Sequence, residues 1–202
     1  LDHYRDYHDY QMAKMQIALR QQAGDAFFYC QDNEDVRARM EELKNLFPGT
    51  LYPYSLDMAR NGNWALSPSS LQGDHNRCNI HVACEIARLL GYSHTHIESA
   101  LASFQGLEHR LELVGTFLGV TYYNDSISTI PEACMEAVKA LKKVETLILG
   151  GFDRGIDYSK LVAFLVEEKA IRNLVFVGQA GARMAQLFGP CLSERNVLVE
   201  ND

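Results

Sequence analysis

The stretch Gly119-Val120-Thr121-Tyr122-Tyr123-Asn124-Asp125-Ser126-Ile127-Ser128-Thr129-Ile130-Pro131 joins an apolar, β-branched run to a polar segment that ends in proline. An amphipathic segment, Glu132 to Leu141, follows directly. Because proline is favoured at the first position of a helix, the stretch predicts a strand, a polar loop and a helix, in that order. Ligands usually bind at such loops in open α/β sheets, so we expect a ligand site here.

Strands and helices alternate on the carboxyl side of this loop. The pattern predicts helices over 132–143, 157–169 and 181–188, and strands over 146–149 and 174–177 and from Val197 onward. Such alternation is typical of an α/β fold with parallel strands and helices on both faces of the sheet. On the amino side of the loop, 111–114 and 117–123 predict a hairpin. Gln105-Gly106-Leu107 breaks the preceding helical pattern, so we predict two domains, 1–106 and 107–202.

The first predicted domain also mixes helices and strands. Helices are expected from about Asp9 to residue 20 and over 35–47, 80–90 and 96–104, and strands over 25–30, 51–56 and 64–66. We predict that Trp64 is a core residue and not a stacking platform for a ligand.

Charge and composition exclude several function classes. The 202 residues carry a formal net charge of −7 without a basic stripe, which argues against nucleic acid or an anionic membrane surface as a partner. No apolar run approaches the length of a membrane span. The 5 cysteines are widely spaced without a Cys-x-x-Cys, so we expect reduced, structural thiols in a cytoplasmic protein. The start at Leu1 suggests residues missing upstream.

Two clusters of polar residues in the first domain allow a functional or a structural interpretation. Asn76 and Asn79, in Gly73-Asp74-His75-Asn76-Arg77-Cys78-Asn79, lie three residues apart at the start of a helix. They can both face a nucleotide base, with the helix N-terminus favouring phosphate, or simply cap the helix. His3, His8 and Lys14 can converge on a metal ion or phosphate, or form a solvated helix N-terminus in which Lys14 shares a face with Tyr10.

Several segments, read in order, resemble the Mur ligases. They are LDHYRDYHDYQMAK from residue 1, GDHNRCN from 73, FQGLEHRLELVG from 104, YYNDSISTIPEA from 122 and LILGGFDRGIDY from 147. The resemblance implies an α/β fold made of the C-terminal part of the family's central ATPase domain and a Rossmann-like, glutamate-binding C-terminal domain, both incomplete. It also implies ATP and Mg²⁺ as cofactors and a cleft that closes around them.

The resemblance gives roles to nine residues. Lys14 is similar to the family's carbamylated lysine, whose anionic oxygens suit magnesium, and His3 to a histidine that helps to hold that ion, with His8 as an alternative. The nucleotide-binding positions are Asn76 and Asn79 on the adenine side, Arg110, Asp125 at the ribose hydroxyls, and Ser126. Thr129 meets the incoming amino acid. Arg154 stands where the family has a lysine that pairs with the carboxylate of glutamate.

The implied activity is the addition of D-glutamate to UDP-N-acetylmuramoyl-L-alanine through an acyl phosphate, in peptidoglycan biosynthesis, by a cytoplasmic monomer. Because the sequence contains no Gly-x-x-x-x-Gly-Lys-Ser/Thr loop, we expect this part of the protein to be inactive alone. Arg154 and Ile127 each stand where relatives commonly have a lysine. These two differences leave open the alternative that the protein is a ligase that adds L-glutamate. A folate polyglutamate-type ligase and a non-catalytic nucleotide-binding module are further alternatives.

Overall fold

The computed structural model describes residues 3–67 and 69–200, which fall into two units. Unit 1 comprises Leu1–Ser69 and Asp74–Phe104, and unit 2 comprises Ser70–Gly73 and Gln105–Asp202. Each unit has its own buried apolar core. The roles predicted for the two domains remain predictions.

Unit 1 is built on a small parallel sheet. Its elements are helix α1 (Tyr7–Leu19), strand β1 (Ala26–Cys30), helix α2 (Glu34–Leu43), strand β2 (Thr50–Tyr54) and helices α3 (Leu56–Asn61), α4 (Asp74–Leu89) and α5 (His94–Ser103). The strands β1 and β2 pair in parallel, with Cys30 opposite Tyr54 at their carboxyl ends. Met15, Met40 and Leu43 are buried in one cluster, with which Phe27 and Leu51 of the two strands pack.

Trp64 forms the centre of a second cluster in unit 1, together with Cys84 and Ile97. Its indole is only 4% exposed, so the prediction that Trp64 is a core residue is confirmed. The indole nitrogen donates a hydrogen bond to Glu85 Oε1 at 2.8 Å, and the ring stacks on His94 with centroids 4.5 Å apart. The polar edge of a buried tryptophan is thus satisfied, as its burial requires.

Three predictions for unit 1 are wrong. Residues 64–66 form a turn and not a strand, and helix α3 begins at Leu56, which was predicted to end the strand over 51–56. Ser55 explains the helix, because its hydroxyl accepts a hydrogen bond from the Met58 amide at 3.1 Å and so caps it. Helix α4 begins at Asp74, six residues before the predicted start at Ile80, since its polar first turns carry no apolar periodicity.

Unit 2 contains a hairpin and a larger parallel sheet, as predicted. Its elements are strands β3 (Glu112–Phe117) and β4 (Val120–Asn124), helix α6 (Pro131–Leu141), strand β5 (Thr146–Gly150), helix α7 (Ser159–Glu167), strand β6 (Asn173–Val177), helix α8 (Gly178–Phe188) and strand β7 (Asn196–Glu200). The hairpin is antiparallel, whereas β5, β6 and β7 pair in parallel in that order. Pro131 is the first residue of α6, as the sequence indicates.

The core of unit 2 is formed by α7, α8 and the central strand β6. Leu165, Ile171, Leu174 and Phe176 are its most deeply buried large side chains. Helix α8 lies so close to the sheet that a Cβ atom added at Gly181 would come within 2.9 Å of the Phe176 carbonyl carbon. This close approach fixes α8 against the carboxyl ends of the strands.

All 5 cysteines are free, in agreement with the prediction of reduced thiols. Burial raises the pKa of Cys84 to about 11. Burial, and secondarily the carboxylate of Asp125, raise the pKa of Cys134 to about 12. Both thiols are therefore protonated near neutral pH. Because the thiolate is the reactive form of cysteine, neither is poised for nucleophilic chemistry. Among the described residues, none of the helices has both the length and the apolar character needed to cross a membrane.

The turn of the β3–β4 hairpin provides a test of backbone strain. Leu118 and Gly119 have φ angles of 50° and 81°, as in a type I′ turn, and the Leu118 side chain is fully exposed. We expect Gly119→Ala to lower the free energy of unfolding by about 1 kcal/mol, and Leu118→Asn to raise it by about 0.5 kcal/mol, because only glycine and asparagine adopt this conformation readily. Urea denaturation measures both.

Leu118→Ala is the matched control, because it removes the exposed apolar side chain without adding a residue that favours positive φ. If Leu118→Ala and Leu118→Asn stabilised the chain equally, the gain would come from the lost leucine and the strain at this turn would be negligible.

Candidate functional site

The polar loop after β4 is organised by the carboxylate of Asp125. Asp125 Oδ1 accepts a hydrogen bond from the Leu111 amide at 2.8 Å, and Oδ2 accepts one from the Ser128 hydroxyl at 2.6 Å. The amide of Ser128 also donates to the Asp125 carbonyl at 2.9 Å. One half-buried side chain therefore closes the loop on itself and joins it to the segment that precedes β3.

Residues 107–111 form the other half of this loop cluster. The backbone carbonyl of His109 accepts a hydrogen bond from the Ile127 amide at 3.2 Å. The Nδ1 atom of the His109 ring lies 2.7 Å from the side-chain amide nitrogen of Asn124. His109 and Leu111 both have positive φ, at 62° and 48°. Arg110 stands between these two anchored residues, so its backbone is fixed beside Asp125. We define Leu107–Leu111 together with Asn124–Ser128 as the loop cluster of unit 2.

The loop cluster brings together three residues that the resemblance assigns to the nucleotide: Arg110, Asp125 and Ser126. Arg110 and Ser126 are exposed, and Arg110 makes no ion pair among the described residues. Asp125 keeps acceptor capacity, because a carboxylate has about four lone-pair positions and two are used here. Thr129 lies exposed beyond the cluster, one residue before Ile130. The cluster can accept from hydroxyl groups and offer a guanidinium to a phosphate.

His109 is a member of the cluster that the sequence did not single out. Its position next to Arg110 was the available signal, but the contact of its ring with Asn124 spans 15 residues of chain. Neither positive φ at a non-glycine residue nor this contact follows from a local sequence pattern.

Asn76 and Asn79 lie together on helix α4, as their spacing predicts. The Asn79 side-chain amide donates to Asn76 Oδ1 at 3.4 Å. Asn76 is 9% exposed, whereas Asn79 is exposed. Asp74, at the start of the same helix, forms an ion pair with Arg60 at 2.5 Å. The two asparagines thus present one buried carboxamide, that of Asn76, and one exposed carboxamide, that of Asn79, at the first turns of the helix. Such an arrangement can bind the edge of a purine.

Of the residues expected to bind magnesium, Lys14 and the alternative His8 lie on helix α1, and His3 precedes the helix. Lys14 is exposed, with Nζ 5.4 Å from the centroid of the Tyr10 ring, so the two residues share a face as predicted. His8 Nδ1 lies 3.2 Å from an Arg39 guanidinium nitrogen, and a cation there disfavours a metal ion. His3 is exposed. Within residues 3–67 and 69–200, no three His, Cys, Asp or Glu side chains group to hold a metal. These residues alone do not fit a complete magnesium site.

Arg154 lies in the loop between β5 and α7, at the carboxyl edge of the parallel sheet. Glycine is required where this loop leaves the strand, because a Cβ atom at Gly150, whose φ is 144°, would lie 1.8 Å from the Val177 carbonyl oxygen. Arg154 is exposed and takes part in no ion pair among the described residues. A guanidinium there is available for a carboxylate ligand.

Solved structures of Mur ligases share this fold. MurF from Acinetobacter baumannii matches the whole chain with a TM-score of 0.71 at 16% identity and is covered over 48% of its own length. UDP-N-acetylmuramate-alanine ligase MurC from Thermotoga maritima matches 66% of this chain, and 31% of its own length, with a TM-score of 0.54 at 14% identity. At such identities the likeness concerns the fold alone. No protein-family model matches the chain.

Curated relatives are more similar in sequence. A UDP-N-acetylmuramoylalanine–D-glutamate ligase of Lactobacillus delbrueckii subsp. bulgaricus is 31% identical over 212 aligned positions, covering 100% of this chain and 46% of the relative. Its namesake in Desulfitobacterium hafniense is 40% identical over 116 positions, covering 57% of this chain and 25% of the relative. The chain is thus similar in sequence and in fold to ligases of the Mur family, and it spans less than half the length of these relatives.

The hydrogen bonds of Asp125 lead to a prediction about stability. Asp125→Ala should lower the free energy of unfolding by about 1–2 kcal/mol, because the Leu111 amide and the Ser128 hydroxyl both lose an ionised acceptor. Asp125→Asn should cost less, since one acceptor oxygen remains. Urea denaturation of the chain measures these differences.

Ser126→Ala is the control for this experiment, because the exposed Ser126 takes part through its backbone amide, which donates to Asn124 Oδ1 at 3.1 Å. Equal stabilities of Asp125→Ala and Ser126→Ala would show that the carboxylate does not hold the loop cluster together.

Proposed function

We propose that the protein is an ATP-dependent ligase that joins D-glutamate to UDP-N-acetylmuramoyl-L-alanine in cytoplasmic peptidoglycan biosynthesis. The observation that carries the proposal is the 31% identity to a UDP-N-acetylmuramoylalanine–D-glutamate ligase over the entire chain, which includes both asparagines and the loop cluster. Because the chain spans 46% of that relative, the activity is ascribed to the whole protein. We also propose that it acts as a monomer without nucleic acid or membrane partners.

The nucleotide is the ligand that fits the polar residues best. We assign the carboxamides of Asn76 and Asn79 to the adenine edge, since a carboxamide offers a donor and an acceptor together. Asp125 would accept from the ribose hydroxyls, while Arg110 and Ser126 would meet the phosphates. Bound ATP would supply the phosphoryl group that activates the acceptor carboxylate as an acyl phosphate. The chain's own task is to orient the nucleotide and to stabilise charge.

For the amino-acid substrate we assign Arg154 and Thr129. Glutamate brings a side-chain carboxylate that a guanidinium can bind through two parallel hydrogen bonds. The exposed position of Arg154 without an ion pair among the described residues supports this role. The hydroxyl of Thr129 can hydrogen-bond to the incoming amino acid.

For magnesium we assign His3 and Lys14 as contributors, with Lys14 as a carbamate. A free ammonium would repel the cation, whereas carbamate oxygens match its preference for hard anionic ligands. The remaining ligands would have to come from outside the residues that the structure describes. The exposure of Lys14 leaves its amine open to carbon dioxide.

A substrate-dependence assay on the full-length protein tests the proposed reaction. Phosphate release from ATP should require glutamate and UDP-N-acetylmuramoyl-L-alanine together, and D-glutamate should be used in preference to L-glutamate. Omitting each substrate in turn is the control. Equal phosphate release without the nucleotide acceptor would refute the assignment, and a preference for L-glutamate would favour the alternative ligase.

The role of Lys14 predicts a specific chemical rescue. Lys14→Ala should lower the ligation rate on the order of 10²-fold, as expected when a group that stabilises charge at a reacting centre is removed. A short carboxylic acid should restore part of the rate by replacing the carbamate oxygens. Rates are measured by product formation in the full-length protein.

Lys44→Ala is the matched control for this rescue, because Lys44 is ion-paired with Glu41 on the surface of unit 1, away from α1 in sequence. A normal rate for Lys14→Ala, or rescue by a neutral amide of the same size, would contradict the assigned role.

A further inference from the structure

The loop between β5 and α7, residues 151–158, is anchored by one side chain of helix α8. The Arg183 guanidinium lies 3.2 Å from Asp153 Oδ1 and donates to the Ile156 carbonyl. The same group lies over the ring of Tyr158, 4.8 Å from its centroid. Because Tyr158 is buried, this contact ties the guanidinium to the core of unit 2. One arginine thus contacts the loop at three positions.

The contact with Asp153 acts directly on the backbone around Arg154. Asp153 Oδ1, the atom next to Arg183, also accepts a hydrogen bond from the Gly155 amide at 2.9 Å. Gly155 has a φ of 71°, so the chain turns sharply here. Arg154 is the central residue of this turn. Because Asp153 Oδ1 contacts both the Arg183 guanidinium and the Gly155 amide, the placement of Arg183 fixes the backbone of Arg154.

Arg183 stands on a rigid element. On either side of it, Ala180 and Met184 of α8 are buried in the core at 2% and 3% exposure. At the start of the helix, the Ala180 amide donates to the Gly151 carbonyl at 3.1 Å, which fixes the first residue of the loop as well. A ligand-binding side chain is held precisely when its support is packed in this way.

The two arginines differ in what is left for a ligand. The guanidinium of Arg183 is engaged by a carboxylate, a carbonyl and an aromatic ring, and its Nε is buried without a hydrogen-bond partner. Arg154 is exposed, with no ion pair among the described residues. The guanidinium of Arg183 is thus engaged in contacts within the protein, whereas that of Arg154 is available to bind a substrate.

We propose that Arg183 is a positioning residue which, through Asp153, holds Arg154 in the orientation that binds the carboxylate of the incoming amino acid. The inference rests on the proposed function for the identity of that ligand, but the anchoring of the loop does not depend on it. The two parts are therefore tested by separate measurements.

Limited trypsin digestion of the full-length protein tests the anchoring. Trypsin cleaves after Arg154 only when the turn opens, so Arg183→Met, which keeps much of the packing volume, should raise the rate of cleavage there about tenfold or more. Arg172→Met is the matched control, since Arg172 carries the same charge and pairs with Glu145 at the opposite edge of the sheet. Equal cleavage rates in Arg183→Met and wild type would overturn the proposal.

Steady-state kinetics test the effect on the substrate. Arg183→Met should raise KM for glutamate about tenfold and leave KM for ATP within about twofold, because only the glutamate contact is displaced. The double variant Asp153→Asn/Arg183→Met should be no worse than the worse single variant, since both act through one interaction. Additive losses, or equal changes in both KM values, would refute the positioning role.

The two failures are distinguishable. If the wild-type protein shows no glutamate-dependent phosphate release while trypsin cuts Arg183→Met faster, the proposed function is wrong and the anchoring stands. If the wild-type protein is active, and Arg183→Met matches it in both the rate of tryptic cleavage and the kinetic constants, the inference about Arg183 is wrong while the proposed function stands.

Discussion

The carboxylate of Asp125 is the constraint on which the candidate site of unit 2 depends. It accepts from the Leu111 amide and the Ser128 hydroxyl, and so joins two loops that are 14 residues apart in sequence. Its charge strengthens both hydrogen bonds. The positive φ angles of His109 and Leu111 are unfavourable by themselves and persist because this carboxylate and the Asn124–His109 contact hold them. These hydrogen bonds on either side of Arg110 fix the position of its backbone.

The same design recurs at the carboxyl edge of the parallel sheet. There the carboxylate of Asp153 turns the backbone around Arg154, and the guanidinium of Arg183 fixes that carboxylate from a buried helix. In both places an aspartate binds a backbone amide beside an exposed arginine. Each exposed guanidinium is thereby carried on a short, hydrogen-bonded turn, so little conformational entropy of the backbone remains to be lost when a ligand binds.

Sequence patterns predicted the parts of the fold that depend on long apolar periodicity. The hairpin and the three parallel strands of unit 2 are found where they were expected, because their strands and helices alternate clearly. Helix α3 escaped prediction because it depends on the Ser55 cap and spans only 6 residues, too few for a periodic signal. The pairing of Asn76 with Asn79 followed from helical spacing. Arg183 could not be found in this way, since its loop contacts span up to 30 residues of chain.

The burial of Trp64 has a spectroscopic consequence. It is the single tryptophan of the chain, it lies in unit 1, and it is held against His94 and Glu85. Indole fluorescence excited selectively therefore originates from unit 1, whereas the 10 tyrosines are spread over both units. The emission of this residue can follow the melting of unit 1 while circular dichroism follows both units together, so a difference between the two transitions would report on the cooperativity of the units without an added label.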